Sequence, residues 1–303
     1  MTRINICILA YRRADLLQQC LQSLAAMDKP ADTLIRVTVI ENDEEQRCKV
    51  VVELFAEQVP IQVDYVCEPK RGIPVARNTA IDVSHSWHAD YIVFIDDDEW
   101  VEEQWLNRLY AYCVACGGDA VISGEVIAVF PEHTPDYISG LIKNKRRQTG
   151  TVLTTCATNN VIFPVSLTRD LGLRFDTSVP LAGGTDTRFF TEAYHRGIKI
   201  VKCADAIVYE KVPETRATLR WMISRKYRVG ITDVWRRRYN GESLFKIVMS
   251  VLLQVTVNSV RVLIYAITNR KLKRNLSILK LAKAAGSVAG LFGVSVESYA
   301  STP

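Results

Sequence analysis

Four consecutive carboxylates, at residues 96–99 (DDDE), follow a short apolar run at residues 91–95 (YIVFI). The run is β-branched and aromatic, which predicts a buried parallel strand, and open α/β sheets bind ligands at the carboxyl ends of such strands. Clustered carboxylates repel one another, and a divalent cation with oxygen ligands relieves the repulsion. Because such a cation still has room for phosphate oxygens, the cluster favours a nucleotide-diphosphate substrate. Alternatively, Asp98 or Glu99 caps a helix over residues 101–116.

Strand-like runs alternate with helix-like runs through residue 120. Strands are predicted at residues 4–10, 35–40, 61–67 and 91–95, and helices at residues 14–27, 46–58 and 73–86. Further along are predicted strands at residues 120–130, 160–164, 198–202 and 206–210, a polar loop at residues 131–150, and a helix within residues 183–197. This order predicts an α/β fold with a mostly parallel, right-handed, doubly wound sheet. We expect one domain over residues 1–215 and a basic helical region over residues 216–303.

The composition is that of an intracellular globular protein. The chain has 303 residues, of which 48% are apolar, enough for one large domain or for a core domain with an appendage. Because the first residues lead directly into a strand-like run, we expect no signal peptide and expect the eight cysteines to be free thiols. Cys113 and Cys116 form one C-x-x-C pair with no second pair, which favours one side of a helix over a metal site.

The charge is unevenly distributed along the chain. Residues 211–303 contain 17 basic and 4 acidic residues, a net of +13, whereas residues 1–210 have a net charge of −8. A basic segment favours an anionic partner, and its many Leu, Val and Ile residues favour a membrane surface over nucleic acid.

Residues 244–268 form an apolar stretch long enough to span a bilayer. Polar residues recur within it every three or four positions, at Lys246, Ser250, Gln254, Asn258 and Arg261. Because polar groups are costly in lipid, we expect a helix in the membrane interface or packed on another helix, with the basic run at residues 270–274 near anionic headgroups. A soluble helical cap with a solvated basic face is the alternative.

Five more segments keep a fixed order around the acidic cluster. They are residues 10–13 (AYRR), 39–43 (VIEND), 71–78 (RGIPVARN), 181–190 (LAGGTDTRFF), and 210–230, which begins EKVPETR and ends RKYRVG. In this order the chain resembles the inverting nucleotide-sugar glycosyltransferases of family 2, which have the GT-A fold, from Ile4 to about Gly230. The last segment narrows the resemblance to bacterial exopolysaccharide enzymes that build lipid-linked repeat units.

The resemblance implies a nucleobase site in the first part of the chain. Ala10, Tyr11 and Arg13 correspond to the family's T-Y-x-R element, with Ala10 in place of the usual Thr. An acid after the second strand accepts the nucleobase N–H. Either Glu41 or Asp43 fits this role, with Asp43 slightly favoured, and a simple turn is the alternative.

Phosphate and metal positions follow from the same resemblance. Arg71 or Arg77 is expected to face phosphate or the nucleotide-side carboxylates, although Gly72 and Pro74 alone would mark only a helix start.

Within the acidic cluster, Asp96 is expected to contact the ribose and Asp98 to bind Mn²⁺ or Mg²⁺. Asp97 lies in the donor site or supports its loop, and Glu99 supports the loop or caps a helix. Glu210 is a candidate second metal ligand, at a position where many GT-A enzymes have His.

The acceptor half of the implied site depends on Asp186. It corresponds to the aspartate of the family's G-E-D-x-x-F element, the catalytic base, while Thr185 replaces the usual Glu and Gly184 precedes it. An N-cap for the following helix is the alternative role of Asp186. Asn159 and Asn160 resemble the segment that lines the acceptor side.

The resemblance also implies partners. Arg225 and Arg228, one helical turn apart, are expected to hold a diphosphate of the donor or of a lipid carrier. The implied reaction moves a hexose, with UDP-glucose as the expected donor, to a hydroxyl of a polyprenyl-diphosphate-linked saccharide. We expect a peripheral enzyme on the cytoplasmic face of the inner membrane, without a nucleic-acid partner.

Two other functions compete with this interpretation. A non-catalytic scaffold of a polysaccharide assembly complex would have the same fold, but the intact D-x-D and Asp186 favour an enzyme. A sugar nucleotidyltransferase would need a Gly-rich loop after the first strand, and residues 10–14 contain no glycine.

Overall fold

The computed structural model describes residues 1–142, 146–178 and 184–294. Its strands are β1 (Thr2–Ala10), β2 (Thr33–Glu41), β3 (Gln62–Cys67), β4 (Tyr91–Asp96), β5 (Glu99–Val101), β6 (Val121–Val129), β7 (Val152–Leu153), β8 (Val161–Pro164) and β9 (Ile200–Lys211). Its helices are α1 (Ala14–Ala25), α2 (Lys49–Ala56), α3 (Ile73–Ser86), α4 (Trp105–Ala115), α5 (Asp136–Ile142), α6 (Ser166–Arg169), α7 (Thr185–His195), α8 (Leu219–Tyr239), α9 (Leu244–Ile267) and α10 (Lys271–Leu291).

Among the described residues, nine strands form one mixed sheet in the order β3-β2-β1-β4-β8-β6-β9-β5, with β7 paired to β9. Strands β1 to β4 pair in parallel, whereas β8 pairs antiparallel with β4 and with β6, and β5 and β7 pair antiparallel with β9. In the parallel half, Leu9 lies opposite Asp96 and Ala10 lies opposite Glu41. The carboxyl ends of β1, β2 and β4 therefore meet at one edge. The predicted α/β fold with a largely parallel sheet and a helical C-terminal region is confirmed.

The parallel strands are buried on both faces because their side chains alternate between two apolar clusters. Ile4, Ile6 and Ile8 of β1 pack in one cluster with α1, α2 and α4, while Cys7 points to the other cluster, with α3, α7 and β8. Both faces of a parallel strand are covered in this way by the helices of its crossover connections. The consequence is a rigid platform at whose edge the polar residues lie.

Three local predictions from the sequence are wrong. The helix predicted over residues 101–116 begins only at Trp105, because residues 99–101 form strand β5 against β9, so Glu99 does not cap it. The polar loop predicted at residues 131–150 contains helix α5. The two strands predicted at residues 198–202 and 206–210 are one continuous strand, β9.

The described residues divide into two compact units. The sheet unit contains those of Met1–Ile127, Arg146–Pro180 and Thr185–Glu210, and the helical unit contains those of Ala128–Lys145, Leu181–Gly184 and Lys211–Pro303. The domain boundary expected at residue 215 stays a prediction.

Within the helical unit, α8 and α10 cross with their backbones in contact. A methyl group added at Gly286 would overlap the backbone of Tyr227, and one added at Gly230 would overlap the carbonyl of Lys283. The Ser287 hydroxyl donates to the Gly230 carbonyl at 3.3 Å across the same crossing. Only glycine fits at such a close approach of two helices.

Helix α9 is long and apolar enough to cross a membrane, judged by length and composition alone. A buried helix of a soluble protein also meets that criterion, so the orientation of its side chains matters more than its composition.

Candidate active site

The acidic cluster lies at the carboxyl end of β4 and continues through a turn into β5. Arg13, just before α1, reaches two of its members: one terminal nitrogen donates to Asp98 Oδ2 at 2.7 Å, and the other donates to Asp97 Oδ1. The Asp97 side chain is fully buried, and in the part of the chain that the structure describes its Oδ2 has no hydrogen-bond partner. Arg13 therefore serves as the internal counter-charge of the cluster, and Asp97 supports the loop instead of facing solvent.

Two carboxylates of the cluster, those of Asp96 and Asp97, resist ionisation. Burial raises the pKa of Asp96 to about 7, with the charge of Asp98 adding to the effect and the charges of Arg77 and Arg13 opposing it. Burial likewise raises the pKa of Asp97 to about 7, although Arg13 opposes the shift. Burial disfavours any isolated charge at these positions, whereas the repulsion between Asp98 and Asp96 is what an added positive charge would offset.

Glu99 and Glu210 extend the acidic cluster across the β5–β9 pair. They lie directly opposite each other in the register of these strands, and Glu210 contributes to the raised pKa of Asp96. The Glu99 carboxylate accepts from the Asp96 backbone N–H at 2.9 Å and from the Asn159 amide at 3.3 Å. Burial raises the pKa of Glu99 well above its ordinary value. Glu99 thus stabilises the turn after β4 by its bond to the Asp96 backbone, and Glu210 lies on the neighbouring strand opposite Glu99.

Tyr11 and Asp43 lie side by side at the ends of β1 and β2. The Tyr11 ring contacts two guanidinium groups, those of Arg12 and Arg71, at 5.1 and 5.2 Å from its centroid. Arg12 has a positive φ of 57° and donates from Nε to Asp43 Oδ2 at 2.8 Å, which lowers the pKa of that carboxyl. The sequence did not single out Arg12, since nothing in AYRR indicates a left-handed backbone.

Glu41 is the weaker of the two acids proposed for the nucleobase. Its carboxylate is fully buried and accepts from the Cys48 backbone N–H at 3.0 Å and from the Tyr65 hydroxyl at 2.7 Å. The side chain is committed to the start of α2, so Asp43 is the better placed candidate. Ala10 is buried beneath this edge, and its carbonyl accepts from the Asn42 backbone N–H.

Asn42 orders the loop that carries Arg71. Its amide donates to the carbonyls of Glu68 and Lys70, each at 2.9 Å, and its Oδ1 accepts from Gly72 N–H at 2.7 Å. The sequence suggested only a turn at this position, because Asn is common in turns. Its three bonds to a segment about 30 residues away depend on tertiary structure that the local pattern does not contain.

Arg77 connects the acidic cluster to the start of α7. Its terminal nitrogen donates to the Thr185 hydroxyl at 3.0 Å, its guanidinium lies 5.2 Å from the centroid of the Phe175 ring, and its charge lowers the pKa of Asp96. This expected phosphate or carboxylate partner therefore faces both the cluster and the helix that carries Asp186.

Asp186 lies in the first turn of α7, one residue after the buried Thr185. Its Oδ1 accepts from the Thr187 backbone N–H at 2.7 Å, and the side chain is half-buried. Its charge adds to burial in raising the pKa of the Cys156 thiol. Asp186 is thus inside the helix instead of capping it, with one oxygen held by the backbone.

The segment at residues 181–190 is described only from Gly184 onward, because residues 179–183 lie outside the described part of the chain. Gly184, the next residue, has a φ of 92° and lies against the Thr232 side chain.

Asn160 has a structural role, in contrast with the acceptor-side role predicted for it. It is fully buried with a φ of 80°, accepts from the Trp105 indole at 2.8 Å, and donates to the carbonyls of Glu125 and Ala206. A side chain with these partners is not accessible to an acceptor. Its half-buried neighbour Asn159 donates to Glu99, and its acceptor-side role stays a prediction.

Arg225 and Arg228 belong to α8 of the helical unit. The Arg225 guanidinium lies 5.3 Å from the centroid of the Trp221 ring, and Arg216 lies 5.7 Å from that centroid. Arg228 donates to the Ser224 hydroxyl at 3.5 Å. Their expected role in holding a diphosphate stays a prediction.

The donor set suits a hard divalent cation that shares its ligands with a substrate. Across the described residues, no three His, Cys, Asp or Glu side chains form a ready-made metal cage. Mg²⁺ commonly binds one or two carboxylates and takes its other ligands from phosphates and water. Asp96 and Asp98 are close enough for one to raise the pKa of the other, and Asp97 keeps an unpartnered buried oxygen. These residues therefore fit such a cation.

Comparison with known proteins gives the same classification throughout. The Glycosyl transferase family 2 description matches residues 5–171. The succinoglycan biosynthesis protein ExoM of Rhizobium meliloti (strain 1021) is 32% identical over 306 residues, which cover 98% of this chain and 95% of ExoM.

Two solved structures are similar in fold. The mannosyltransferase PcManGT from Pyrobaculum calidifontis, in complex with GDP-Man and Mn²⁺, has a TM-score of 0.67 at 19% identity, over 96% of this chain and 87% of that one. S. aureus TarS 1–349, in complex with UDP, has a TM-score of 0.57 at 16% identity, over 97% and 92% of the two chains. With its sheet, its acidic strand end and a full-length relative in agreement, the chain belongs to glycosyl transferase family 2.

Proposed function

We propose that this glycosyltransferase moves a hexose from a nucleotide-diphosphate donor to a hydroxyl of a polyprenyl-diphosphate-linked saccharide during cell-surface polysaccharide synthesis. The observation that carries the proposal is the position of Arg77. It faces Asp96 on the donor side and holds Thr185, next to Asp186, on the acceptor side. Arg77 thereby lies between the proposed donor side and the residue that precedes the proposed base.

The donor site is proposed at the carboxyl ends of β1, β2 and β4. Asp43 accepts the nucleobase N–H, Tyr11 and Arg71 flank the base, and Asp96 contacts the ribose. A Mn²⁺ or Mg²⁺ ion held by Asp98, with Glu210 as a candidate second ligand, would neutralise the diphosphate and stabilise it as a leaving group.

On the acceptor side, Asp186 is proposed as the general base. It removes the proton from the acceptor hydroxyl while that oxygen attacks the anomeric carbon, and the nucleoside diphosphate leaves from the opposite face. A single displacement inverts the anomeric configuration, so an α-linked donor gives a β-linked product. Because no covalent intermediate forms, no second carboxylate is needed as a nucleophile.

Related proteins support the expected substrates. TarS has been solved with UDP and with UDP-GlcNAc, and PcManGT has been solved with GDP-Man and Mn²⁺. ExoM is a succinoglycan biosynthesis protein, which supports a polysaccharide product. We therefore expect a UDP-hexose such as UDP-glucose, a divalent cation, and a peripheral position on the cytoplasmic face of the inner membrane.

A donor screen tests the proposal. Release of the nucleotide is measured for a panel of UDP- and GDP-sugars with Mn²⁺ or Mg²⁺, with and without a polyprenyl-diphosphate saccharide. We expect one donor to be consumed much faster when the acceptor and the cation are both present. If no donor is consumed under any of these conditions, the proposal is overturned in favour of the scaffold alternative.

A further inference from the structure

Helix α9 buries polar as well as apolar side chains on one side and exposes many apolar side chains on the other. The residues it buries include Ile247, Val251 and Asn258, and Ser250 and Gln254 lie half-buried on the same side. The three uncharged members of the polar stripe are therefore turned inward and its two charged members, Lys246 and Arg261, are exposed, whereas a helix on a soluble protein turns its whole polar stripe toward water.

Most of the inward polar groups are bonded within the helical unit, although the buried Asn258 Oδ1 has no hydrogen-bond partner among the described residues. The Arg237 guanidinium of α8 donates to the Ser250 hydroxyl at 3.4 Å. Gln254 donates to the same hydroxyl at 3.4 Å, and the Asn258 amide donates to the Gln254 carbonyl at 2.7 Å. These bonds lower the cost of lipid contact for the middle of the polar stripe, because Ser250, Gln254 and Asn258 are turned away from the exposed face.

Most of the side chains that α9 exposes are apolar, although Lys246, Thr256, Ser259 and Arg261 are exposed as well. Phe245 and Ile267, near its two ends, are 74% and 86% exposed, and Leu253 and Leu263 are each 65% exposed. The other large apolar side chains exposed on this helix are Leu244, Met249, Leu252, Val255, Val257, Val260 and Ile264. At 24 residues the helix is about 36 Å long, and exposed apolar side chains distributed over that length mark an interaction surface.

The charges around this face identify the partner. Residues 243–296 contain eight basic residues and no acidic residue. Lys246 and Arg261 are exposed on α9 itself, and Lys271 and Lys273 are exposed at the start of α10. A second copy of the chain would bring these like charges together, whereas an anionic phospholipid surface would attract them.

We propose that α9 lies in the plane of an anionic phospholipid membrane, with its outward apolar face in the acyl-chain region. The basic side chains of α9 and of the start of α10 contact the lipid headgroups, which long Lys and Arg side chains reach from an immersed helix. This inference extends the proposed function, because a lipid-linked acceptor would then be met at the surface on which the enzyme rests.

Vesicle binding of the full chain tests the proposal. Purified protein is sedimented with vesicles of phosphatidylglycerol and phosphatidylethanolamine, and separately with vesicles of phosphatidylcholine alone. We expect L253N/L263N to bind the anionic vesicles more weakly by at least about tenfold, since two immersed side chains are lost. V50N/L54N is the matched control, because Val50 and Leu54 are comparably exposed on α2 of the sheet unit, at 63% and 52%.

The charge contribution is tested separately with K271Q/K273Q. We expect this variant to bind anionic vesicles more weakly, by about fivefold for each lysine removed, and to bind phosphatidylcholine vesicles as the wild type does. Light scattering in solution reports the mass of every variant. A wild-type dimer that L253N/L263N dissociates, with no vesicle binding, would show that a second copy covers α9 and would overturn the proposal.

The membrane proposal and the proposed reaction fail in distinguishable ways. Sedimentation needs no donor, and nucleotide release with a short, soluble acceptor analogue needs no membrane. We expect L253N/L263N to keep its wild-type rate on that analogue and to unfold at the wild-type denaturant concentration. Equal vesicle binding by L253N/L263N and V50N/L54N would refute the role of α9 whatever the activity.

Discussion

The acidic edge of the sheet unit buries charged groups, whereas the outer face of α9 exposes apolar groups. At the edge, charged groups lie where the surroundings disfavour charge, and burial raises the pKa of Asp96 and Asp97 to about 7. On α9, Leu253 and Leu263 lie in water although they would be more stable out of it. Both arrangements lower the stability of the isolated chain, which is typical of surfaces shaped for binding instead of folding.

The comparison also teaches how differently the two regions are supported. The acidic edge is held by specific hydrogen bonds, from Arg13 to Asp97 and Asp98 and from Arg77 to Thr185. The α9 face needs only a continuous apolar surface, because the hydrophobic effect has no direction. Single substitutions are therefore expected to have large effects at the edge and small, cumulative effects on α9.

The largest effect is expected for D186N. Loss of the proposed general base should lower kcat by about 10²–10⁴-fold while the donor affinity stays within about twofold. Donor turnover with acceptor present and calorimetric binding of UDP measure the two quantities. E192Q on the same helix is the control, and a D186N enzyme at near wild-type rate would remove Asp186 from the mechanism.

D98N is expected to weaken metal-dependent donor binding. Loss of a ligand should lower the donor affinity in Mn²⁺ by at least the roughly 10- to 100-fold seen when outer-shell metal partners are lost. Calorimetry with and without Mn²⁺ measures it, with the exposed Glu103 changed to Gln as the control. Identical Mn²⁺ dependence in D98N and wild type would assign the cation elsewhere.

G286A tests how tightly α8 and α10 pack where they cross in the helical unit. Even one methyl group must push α8 and α10 apart, so we expect a loss of about 1–3 kcal/mol in the free energy of unfolding. Denaturant unfolding measures it, and K280A, on an exposed position of α10, should change stability little. A G286A protein as stable as K280A would mean that the crossing is loose.

R13M measures the cost of the buried charge at the acidic edge. Removal of Arg13 leaves the buried Asp97 without its counter-charge, which should lower the free energy of unfolding by about 2 kcal/mol. The loss is smaller than for a fully buried pair because 35% of the Arg13 side chain is exposed. The double variant R13M/D97N should recover most of that loss. If it does not, Arg13 stabilises the fold by packing and not by charge.

The smallest effect is expected for T185V, which keeps the shape of Thr185 and removes the hydroxyl that Arg77 holds. Losing one hydrogen bond of about 1 kcal/mol should lower kcat about fivefold and leave KM for the donor unchanged. A rise in KM with unchanged kcat would instead place Arg77 on the donor alone.

The sequence predicted best where local patterns decide the structure. Helix α3 has the predicted bounds, residues 73–86, because Gly72 and Pro74 mark its start. Strand β5 was missed because residues 99–101 become a strand only by pairing with β9, more than 100 residues later. For α9, the polar stripe was visible in the sequence, but only its packing shows that Ser250, Gln254 and Asn258 face inward while Lys246 and Arg261 are exposed.

The candidate site divides in the same way. The types and order of Asp96, Asp98 and Asp186 were readable from the sequence, and their roles stay predictions. The partners of Arg12, Asn42 and Arg77 were not readable, because each bonds to a segment about 30 or more residues away.

Asn160 carries a consequence for how substitutions in this family are interpreted. Its side chain fills the space beside Gly124 so completely that a methyl group on that glycine would overlap it. An exchange at either position alone should abolish activity through misfolding, and a screen that scores activity alone would mistake Asn160 for a catalytic residue. Across related sequences, the two positions should therefore change together or not at all.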